Sequence, residues 1–403
     1  MQKLMILGGS RYALPVIQAA HDLGIYVITA DYLPDNIAHK YSDEYCNVSI
    51  VDQNATLIIA QEKEINGITS FACDPGVVTA AYIAEKMCLP SVGSYESVSI
   101  LQNKGKFREF LKQHNFNVPA AKSYTDIDKA INDAYGNGVF RWPVIVKPVD
   151  SAGSKGVTRV DKLEDLKTAI TYALSFSRSN EFIIEDFIQQ KGFSSDTDSF
   201  SVDGELKFVS FNSQRFDVNA ENPYTPAAFS WPSTMMNAHQ KELASELQRL
   251  ITLLGLKTSI YNIETRESVD GKAYIMECSP RGGGNRLAEC LEYATGIKLV
   301  ENSVRAAMGM PIIGIGQKPY NGWWAEVILH SNHDGIFKEL WIHESIQNYV
   351  IEKDLWVKPG VLVKSFTAAN WAVGTLILKF DTEKQLEKIM GNIHNYVKVI
   401  LKE

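Results

Sequence analysis

Two glutamates on a predicted β-hairpin form the most informative chemical pattern in this sequence. Asp270 and Gly271 make a typical two-residue hairpin turn, and a turn at that point places Glu264 directly opposite Glu277. Opposed carboxylates lie about 5 Å apart and repel each other unless a positive charge lies between them. A magnesium ion bound to a nucleotide commonly takes one or two protein carboxylates, whereas a neighbouring arginine is the simpler source of neutralisation. The hairpin therefore indicates either a metal site or a solvated cluster of charges.

Strand alternation predicts which side chains share a face with these glutamates, because successive residues of a strand point to opposite sides. The face of the glutamates is expected to carry Asn262, Arg266, Ile275, Ser279 and Arg281. The other face is expected to pack into a core with Tyr261, Ile263, Thr265, Tyr274, Met276 and Cys278.

A second pattern is an apolar segment that ends in a lysine and continues into a loop of small residues. Residues 143–147 read Pro-Val-Ile-Val-Lys, which predicts a buried strand with Lys147 at its end. A buried lysine is costly without an anion. The loop at residues 150–156 reads Asp-Ser-Ala-Gly-Ser-Lys-Gly, and its small residues and glycines let backbone N–H groups point at a phosphate while Lys155 adds charge. It lacks the P-loop pattern, and such a loop alone is most often only a turn.

The segment Ile183–Ile188 predicts a strand with an acidic end. Free backbone groups at such a strand end can pair with the edge of an adenine, and Glu185 can accept hydrogen bonds from ribose hydroxyls. A core strand with a solvated acidic end is the alternative, and the residues by themselves favour it.

These residues need a scaffold, and the hydrophobic patterns predict one of the α/β class. The first 95 residues alternate between predicted strands at Lys3–Leu7, Ile25–Ala30 and Ile68–Ala72 and predicted helices at Ala13–Leu23 and Val77–Met87. Short connections between such elements imply a parallel, doubly wound sheet. A helical connector is expected at residues 94–121.

The rest of the chain is predicted to be rich in antiparallel strands. We expect strands at residues 144–146, 182–185, 198–202, 206–211, 261–268 and 272–279, with a hairpin turn at Asp203 and Gly204 and a helix at Ala238–Leu254. After residue 311 short strands rich in Gly, Pro and Trp predict a third α/β unit, in which the strand Leu376–Phe380 precedes a helix at Thr382–Ile400.

Composition excludes several classes of protein. The net charge of −7 does not favour nucleic acid as a partner, and the 403 residues contain no apolar run long enough for a transmembrane helix. The N-terminus lacks the pattern of a secretory signal, and five cysteines without a close pair make a disulfide framework or zinc site improbable. A cytoplasmic protein without nucleic-acid or membrane partners is therefore expected.

Taken in order, the motifs resemble those of the ATP-grasp superfamily over nearly the whole chain. The order is Lys104, then the 143–148 strand with its loop, then Ile184-Glu-Asp-Phe-Ile188, then Asn262-Ile-Glu-Thr-Arg266, then Met276-Glu-Cys-Ser-Pro-Arg281. The chain is similar to the branch that contains biotin carboxylase, carbamoyl-phosphate synthetase, phosphoribosylglycinamide synthetase and the amino-acid ligases. This resemblance implies a Rossmann-like domain at 1–95, a two-lobed ATP-grasp domain at 96–310 with a mobile lid lobe at about 122–190, and a small C-terminal α/β domain at 311–403.

The resemblance also implies roles for individual residues. Lys104 and Lys147 match the two lysines that contact ATP phosphates, and Arg281 matches the arginine expected to stabilise the transferring phosphate. The nucleotide is further expected to contact Ser151, Gly153, Ser154, Gly156, Glu185, Asp186, Ile188 and Asp196. Magnesium or manganese is expected at Glu264, Glu277 and Ser279, although the family usually has an Asn at the position of Ser279. Substrate contacts are expected from Arg215, Arg266 and Asn285.

The activity implied is that of an ADP-forming ligase, which activates a carboxylate as an acylphosphate and joins it to an amine. Small-molecule substrates and a homodimer are implied as partners, and the resemblance leaves open which ligase the chain is: an amino-acid or peptide ligase, a purine-pathway ligase or a carbamoyl-phosphate synthetase-like ligase. One alternative is a nicotinamide-dependent dehydrogenase, although the Gly8-Gly9 turn lacks the third glycine of the dinucleotide fingerprint. The other alternative is a non-catalytic ATP-binding scaffold.

Overall fold

A computed structural model describes residues 1–136 and 138–402. Its N-terminal unit is a parallel sheet in the order β3-β2-β1-β4. The strands are β1 (Lys3–Leu7), β2 (Tyr26–Asp31), β3 (Glu44–Asn47) and β4 (Gly67–Thr69), and the helices are α1 (Leu14–Asp22), α2 (Gln53–Glu62) and α3 (Asp74–Lys86). The predicted strand–helix alternation is confirmed here, because continuous apolar strands become buried once helices cover the sheet.

Two helices then connect this unit to an antiparallel sheet in the order β5-β8-β6-β7, which we call the lobe A sheet. The elements are α4 (Tyr95–Leu101), α5 (Lys104–Gln113), β5 (Ala121–Tyr124), α6 (Ile127–Gly136), β6 (Val144–Pro148), β7 (Thr158–Val160), α7 (Leu166–Leu174) and β8 (Phe182–Asp186). Val144, Val146, Phe182 and Ile184 pack on α6 and α7. The alternate residues of β6 and β8, Lys147 and Glu185 among them, therefore face the other side of the sheet.

A second antiparallel sheet, in the order β10-β9-β13-β14, forms the lobe B sheet. This part of the chain contains β9 (Ser195–Val202), β10 (Glu205–Phe208), β11 (Ser213–Phe216), β12 (Pro226–Trp231), α8 (Asn237–Leu253), β13 (Ser259–Glu267) and β14 (Ala273–Ser279). Helix α8 covers one face of the lobe B sheet, where Tyr261, Ile263 and Cys278 join its apolar side chains. The predicted hairpin at Asp203 and Gly204 is confirmed by the antiparallel pairing of β9 with β10.

The β13–β14 hairpin has the predicted pairing at the glutamates but a different turn. Ser268 donates a backbone hydrogen bond to Lys272, and Thr265 lies opposite Ile275, so the register near the turn is one residue away from the predicted one. A β-bulge at Met276 restores the register, and Glu264 lies opposite Glu277. The prediction for Ile275 is therefore wrong: its side chain packs in the core beside Ile263, because the bulge inverts the alternation at this point.

The remaining elements build two further sheets. They are α9 (Leu287–Thr295), α10 (Leu299–Ala307), β15 (Trp323–Leu329), β16 (Gly335–Ile342), β17 (Val350–Leu355), β18 (Leu362–Val363), β19 (Gly374–Phe380), α11 (Glu383–Met390) and β20 (Val397–Leu401). Single 3-10 turns lie at Arg11–Ala13, Ile37–Lys40, Leu163–Asp165, Glu344–Tyr349, Ala369–Trp371 and Ile393–Asn395. The C-terminal sheet has the order β11-β12-β15-β19-β17, and a smaller sheet has the order β18-β16-β20.

Two features of this region differ from what the sequence patterns suggest. The predicted helix at Thr382–Ile400 is wrong in its second half, where residues 397–401 form β20 and pair with β16. The apolar residues Val397, Val399 and Leu401 alternate there at the period of a strand. In addition, β12 pairs with β15, so the C-terminal sheet joins strands from both sides of the predicted domain boundary at residue 310. The division into domains itself stays a prediction.

Among residues 1–136 and 138–402, no helix combines the length and the apolar character that a membrane span requires.

Candidate active site

The face of the lobe B sheet that turns away from α8 carries two rows of polar side chains across β9, β13 and β14. One row consists of Asp196, Glu264 and Glu277, and the next consists of Asp198, Asn262 and Ser279. Neighbouring strands are about 4.8 Å apart, so each row spans roughly 10 Å. Burial and the charge of Glu264 raise the pKa of Asp196 to about 7, as expected where carboxylates crowd together. Acidic side chains are therefore crowded together on this face.

Glu264 and Glu277 are accessible and only lightly neutralised. Their side chains are 30% and 34% exposed. One oxygen of Glu264 accepts a 3.0 Å hydrogen bond from Arg266, and Glu277 lies 3.9 Å from the ammonium group of Lys104. Two accessible carboxylates suit a hard divalent cation that completes its shell with nucleotide phosphates and water.

The chain does not supply a complete metal cage. Within the described part of the chain, no group of three or more His, Cys, Asp or Glu side chains is arranged to hold a metal ion. The hydroxyl of Ser279 is already engaged, because it accepts a hydrogen bond from Gln102 at 2.7 Å and donates one to Asp74 at 2.8 Å. The assignment of Ser279 as a third ligand stays a prediction, and any metal site here depends on oxygens from a bound substrate.

A buried group of charges lies on the cleft face of the lobe A sheet. Lys147 and Arg108 each form an ion pair with Glu185, and the Arg108 Nε–Oε2 distance is 3.0 Å. Burial alone would raise the pKa of Glu185, but the charges of Arg108 and Lys147 outweigh it and lower that pKa to about 2. Both carboxylate oxygens of Glu185 are therefore taken, and its side chain positions two cations.

Helix α5 joins this group to the lobe B sheet. Arg108 also donates to the carbonyl of Met276 at 2.8 Å, and Lys104, one turn earlier on the helix, donates to the carbonyl of Ser151 at 2.7 Å. Lys104 thus lies between the glycine-rich loop and Glu277, which brings both predicted phosphate-binding lysines to one cleft between lobes A and B.

The loop after β6 has the backbone conformation that its glycines permit. Gly153, Ser154 and Gly156 have φ values of +67°, +59° and +73°, in the left-handed region. Ser154 donates to the carbonyl of Tyr224 at 3.1 Å, so the loop contacts the segment before β12. A β-carbon added at Gly153 would meet nothing within 4 Å, which leaves space above the loop for a ligand.

At the end of β8, one backbone N–H group has no acceptor in the described part of the chain. The N–H of Asp186 is bonded to Ala120 and that of Phe187 to Pro143, whereas the N–H of Ile188 has no acceptor among residues 1–136 and 138–402. The carboxylate of Asp186 accepts from the N–H of Arg141 at 2.7 Å. The contact between Ile188 and adenine stays a prediction that this free donor is consistent with.

Arg281 links the N-terminal unit to the lobe B sheet. It forms two hydrogen bonds with Asp74 at the start of α3, at 2.9 and 2.7 Å, and donates to Asn262 at 3.1 Å and to the carbonyl of Gly282 at 2.9 Å. Burial would lower the pKa of the guanidinium, but the Asp74 carboxylate outweighs it and holds that pKa above the usual value. One of the five N–H groups of Arg281 has no acceptor among the described residues.

Asn285 and Arg215, which are also expected to contact the substrate, lie in different surroundings. Asn285 lies in the loop after β14 and accepts a 3.0 Å hydrogen bond from Tyr12 of the N-terminal unit. Arg215, on β11 of the C-terminal sheet, instead forms an ion pair with Glu387 of α11 at 2.7 Å. Asp196 lies beside Glu264 and Asn262.

Arg108, Asp74 and Gln102 were missed by inspection of the sequence. Arg108 follows Lys104 by four positions and hence lies on the same helix face, which is a usable signal. Asp74 and Gln102 have no local signal, because their partners are more than 170 residues away along the chain.

Comparison with known proteins identifies the fold. Residues 140–289 match the family described as ATP-grasp domain. The large chain of carbamoyl phosphate synthase from Clostridium perfringens (strain 13 / Type A) is 21% identical over 304 residues, which cover 74% of this chain and 27% of that protein. The chain thus spans about a quarter of the length of the curated relatives it matches.

Solved structures resemble the chain over its whole length. Phosphoribosylglycinamide synthetase from Anaerococcus prevotii has a TM-score of 0.76 at 22% identity and covers 100% of both chains. L-amino acid ligase from Bacillus licheniformis has a TM-score of 0.82 at 17% identity, over 100% of this chain and 99% of that one. The biotin carboxylase domain dimer of 2-oxoglutarate carboxylase from Hydrogenobacter thermophilus, in complex with MgADP, ADP and bicarbonate, has a TM-score of 0.75 at 15% identity, over 100% and 91%. The predicted fold class is confirmed.

Proposed function

We propose that this chain, which carries an ATP-grasp domain at residues 140–289, is an ADP-forming ligase that activates a carboxylate with ATP and joins it to an amine. The observation that carries the proposal is the meeting of two sheets at one cleft. Lobe A contributes Lys147 and the glycine-rich loop, lobe B contributes the opposed Glu264 and Glu277, and Lys104 lies between them. Cations and metal-binding carboxylates on facing surfaces suit a metal-bound triphosphate.

The proposed reaction has two steps. An oxygen of the substrate carboxylate attacks the γ-phosphorus of ATP, a new O–P bond forms, the bond to the β–γ bridging oxygen breaks, and ADP leaves. The amine nitrogen then attacks the carbonyl carbon of the acylphosphate, a C–N bond forms, the C–O bond to phosphate breaks, and the nitrogen loses a proton. This chemistry needs positioning and charge neutralisation more than covalent catalysis.

Each residue has a definite task in this proposal. Lys104 and Lys147 hold the phosphate oxygens of ATP, and Glu185 acts through Lys147 by positioning its ammonium group. The loop at 151–156 covers the triphosphate through its backbone N–H groups. The free N–H of Ile188 and the backbone of Asp186 are assigned to adenine. Arg281 is assigned to the acceptor side, at the junction of the N-terminal unit with lobe B.

The metal assignment follows from the donor set. Glu264 and Glu277 offer accessible carboxylate oxygens, which fit Mg²⁺ or Mn²⁺ together with substrate phosphates. When bound, the cation neutralises charge on the phosphates. The proposal further includes small-molecule substrates, a cytoplasmic location and a homodimer. It keeps three substrate classes open, those of amino-acid ligases, purine-pathway ligases and carbamoyl-phosphate synthetase-like ligases.

The N-terminal unit favours the ligase over a nicotinamide-dependent dehydrogenase. Asp31, at the end of β2, accepts hydrogen bonds from the N–H of Gly9 at 2.8 Å, from the N–H of Leu33 at 3.1 Å and from the side chain of Asn36 at 2.9 Å. A carboxylate occupied in this way is poorly placed to bind the ribose of a dinucleotide.

The test is ATP-dependent phosphate release with Mg²⁺ across a panel of amino acids, phosphoribosylamine and bicarbonate. Wild type is compared with Glu277→Ala and with Glu205→Ala, an exposed glutamate of β10, as the matched control. The ligase is supported if phosphate release depends on one carboxylate–amine pair and yields ADP. This release should be lost only in Glu277→Ala. ATP binding without stimulated release by any pair supports the non-catalytic scaffold, and tight NADH binding without ATP hydrolysis supports the dehydrogenase.

A further inference from the structure

Residues 217–225 connect β11 with β12, and we call this segment the strap. Near its end, the carbonyl of Tyr224 accepts the 3.1 Å hydrogen bond from the hydroxyl of Ser154. The strap is therefore the segment to which the glycine-rich loop is bonded at its middle.

The glycine-rich loop has few other attachments. Within residues 1–136 and 138–402, the loop at 151–156 makes two hydrogen bonds to distant parts of the chain, one from Lys104 to the carbonyl of Ser151 at 2.7 Å and one from Ser154 to the strap. Gly153 and Lys155, on either side of Ser154, are exposed. Lys104 is assigned to the ATP phosphates, and the loop is assigned to them through its backbone N–H groups. The hydroxyl of Ser154 thus remains available to the strap when ATP binds.

The start of the strap is fixed by the carboxylate of Asp217. One of its oxygens accepts hydrogen bonds from Nε2 of His330 at 3.2 Å and from the side chain of Asn332 at 2.8 Å, both in the segment after β15. The other oxygen accepts from the N–H of Asn219 at 2.8 Å. The hydrogen bonds from His330, Asn332 and Asn219 outweigh burial and hold the pKa of Asp217 below its usual range, so this group is a carboxylate at neutral pH.

The partners of the strap are themselves held in place. Nδ1 of His330 lies 2.7 Å from the carbonyl of Ile328, and the imidazole ring stacks on the buried ring of Phe366 with 4.2 Å between the centroids. One residue further along, the carbonyl of Thr367 accepts a 3.1 Å hydrogen bond from the side chain of Asn222 in the strap. The strap is thus attached at two points to segments that follow strands of the C-terminal sheet, and their packing sets its position.

We propose that Asp217 is a positioning residue of the nucleotide site, which acts through the strap by holding the carbonyl of Tyr224 where Ser154 can bond to it. The inference rests on the proposed ligase function and deepens it, because it adds a residue outside the cleft that sets the position of the phosphate-covering loop. A loop that is held in place before ATP binds has less conformational entropy to lose on binding. Asp217 therefore favours the binding of ATP without contacting it.

The experiment compares full-length wild type, Asp217→Ala and a matched control, Asp43→Ala in the N-terminal unit. Asp43 also pairs with a histidine, His21 at 2.9 Å, and also accepts from a backbone N–H, that of Val27 at 2.8 Å. The first measurement is the rate of tryptic cleavage after Lys155 in the nucleotide-free protein, with the cleavage position identified by mass spectrometry.

Cleavage after Lys155 should be about 5- to 10-fold faster in Asp217→Ala and within about 2-fold of wild type in Asp43→Ala, because a protease cuts a loop when its contacts open. With the carboxylate–amine pair that supports turnover, the KM for ATP should rise about 10-fold in Asp217→Ala. The value of kcat at saturating ATP should change less than about 3-fold. Asp217→Asn, which keeps the size of the side chain, replaces the alanine variant if that variant does not fold.

A double-mutant cycle with Ser154→Ala separates positioning of the loop from a general loss of structure. Ser154→Ala removes the same attachment from the other side, so adding Asp217→Ala to it should raise the KM for ATP no further. Additive effects of the two substitutions overturn the inference, and so does an unchanged rate of cleavage after Lys155 in folded Asp217→Ala.

Failure of the proposed function looks different, because wild type itself then releases no ADP with any carboxylate–amine pair. Cleavage after Lys155 needs no turnover, so it still reports whether Asp217 holds the loop through the strap.

Discussion

The side chains of Lys147 on β6 and Glu185 on β8 form an ion pair across the lobe A sheet, although their backbones are not directly opposite. Lys147 pairs with Ile183 and Glu185 pairs with Ile145, so the two charged residues occupy diagonal positions on one face. Both are buried, with side-chain exposures of 11% and 3%. A lysine on this face is therefore held at one position beside the nucleotide cleft, with a carboxylate that is shared with Arg108.

We expect Glu185→Gln to destabilise the protein strongly. The substitution leaves Lys147 and Arg108 buried without a counter-charge, and breaking a buried pair from one side typically costs about 3–5 kcal/mol. Urea unfolding followed by circular dichroism measures the loss. Glu246→Gln, which breaks a half-exposed pair with Arg249, is the control and should cost less than about 1 kcal/mol. Equal effects of the two substitutions would show that the buried group does not hold lobe A together.

The same carboxylate predicts a dependence of stability on acid pH. The pKa of Glu185 is lowered from 4.5 to about 2, so the folded state binds this proton less readily than the unfolded state does. Its stabilising contribution is then complete above about pH 4.5 and is lost as the pH falls from 4.5 to 2. Unfolding midpoints at pH 6, 4 and 3 should fall more steeply for wild type than for Glu185→Gln. Parallel curves would contradict this assignment.

Gly153→Ala should weaken ATP binding without a special cost in stability. Gly153 and Gly192 both have φ near +70° and open space at the β-carbon position, so alanine at either position costs about 1 kcal/mol of backbone strain. Only Gly153 lies in the loop assigned to the triphosphate. We expect both variants to lose a few degrees of Tm and only Gly153→Ala to raise the KM for ATP, by about 10-fold. An equal rise in the KM for ATP in Gly192→Ala would show that the effect is a general consequence of strained loops.

Asp74→Asn should lower kcat markedly, with a smaller effect on the free energy of unfolding. Asp74 supplies the only carboxylate within 4 Å of Arg281 in the described residues, and it also accepts from Ser279. Asparagine keeps the size but loses the charge and one acceptor, so Arg281 becomes free to move from its position. We expect kcat to fall at least 10-fold with a change in KM for ATP of less than about 3-fold. Asp22→Asn at the exposed end of α1 is the control, and an equal loss of kcat there would remove Asp74 from the site.

The local parts of the site are predictable from the sequence because they depend on rules of short range. A turn at Asp270 and Gly271 and the alternation of a strand predict that Glu264 and Glu277 face each other, and the structure has this pairing because the bulge at Met276 offsets the one-residue difference in register near the turn. An apolar strand that ends in Lys147 predicts a buried lysine in need of an anion, and Glu185 is that anion. Order along the chain then indicates the ATP-grasp fold.

Local rules also fail at identifiable places. The bulge at Met276 reverses the expected orientation of Ile275, because a single extra residue inverts alternation and leaves no mark in the sequence. The predicted helix at Thr382–Ile400 is cut short because Val397–Leu401 gains a partner in β16, and a tertiary strand pairing outweighs helical periodicity.

By itself, the sequence determined the type of fold, the opposed glutamates, and the buried lysine and glycine-containing loop to which we assign phosphate binding. Only the tertiary structure decided which carboxylate holds Lys147, that Asp74 of the N-terminal unit holds Arg281, and that Glu326 has no partner among the described residues. The physical reason is that short-range hydrogen bonds and the register of a hairpin depend on residues that are adjacent in the chain. The pairing or isolation of a buried charge depends on atoms that are distant along the chain and meet only when the sheets pack.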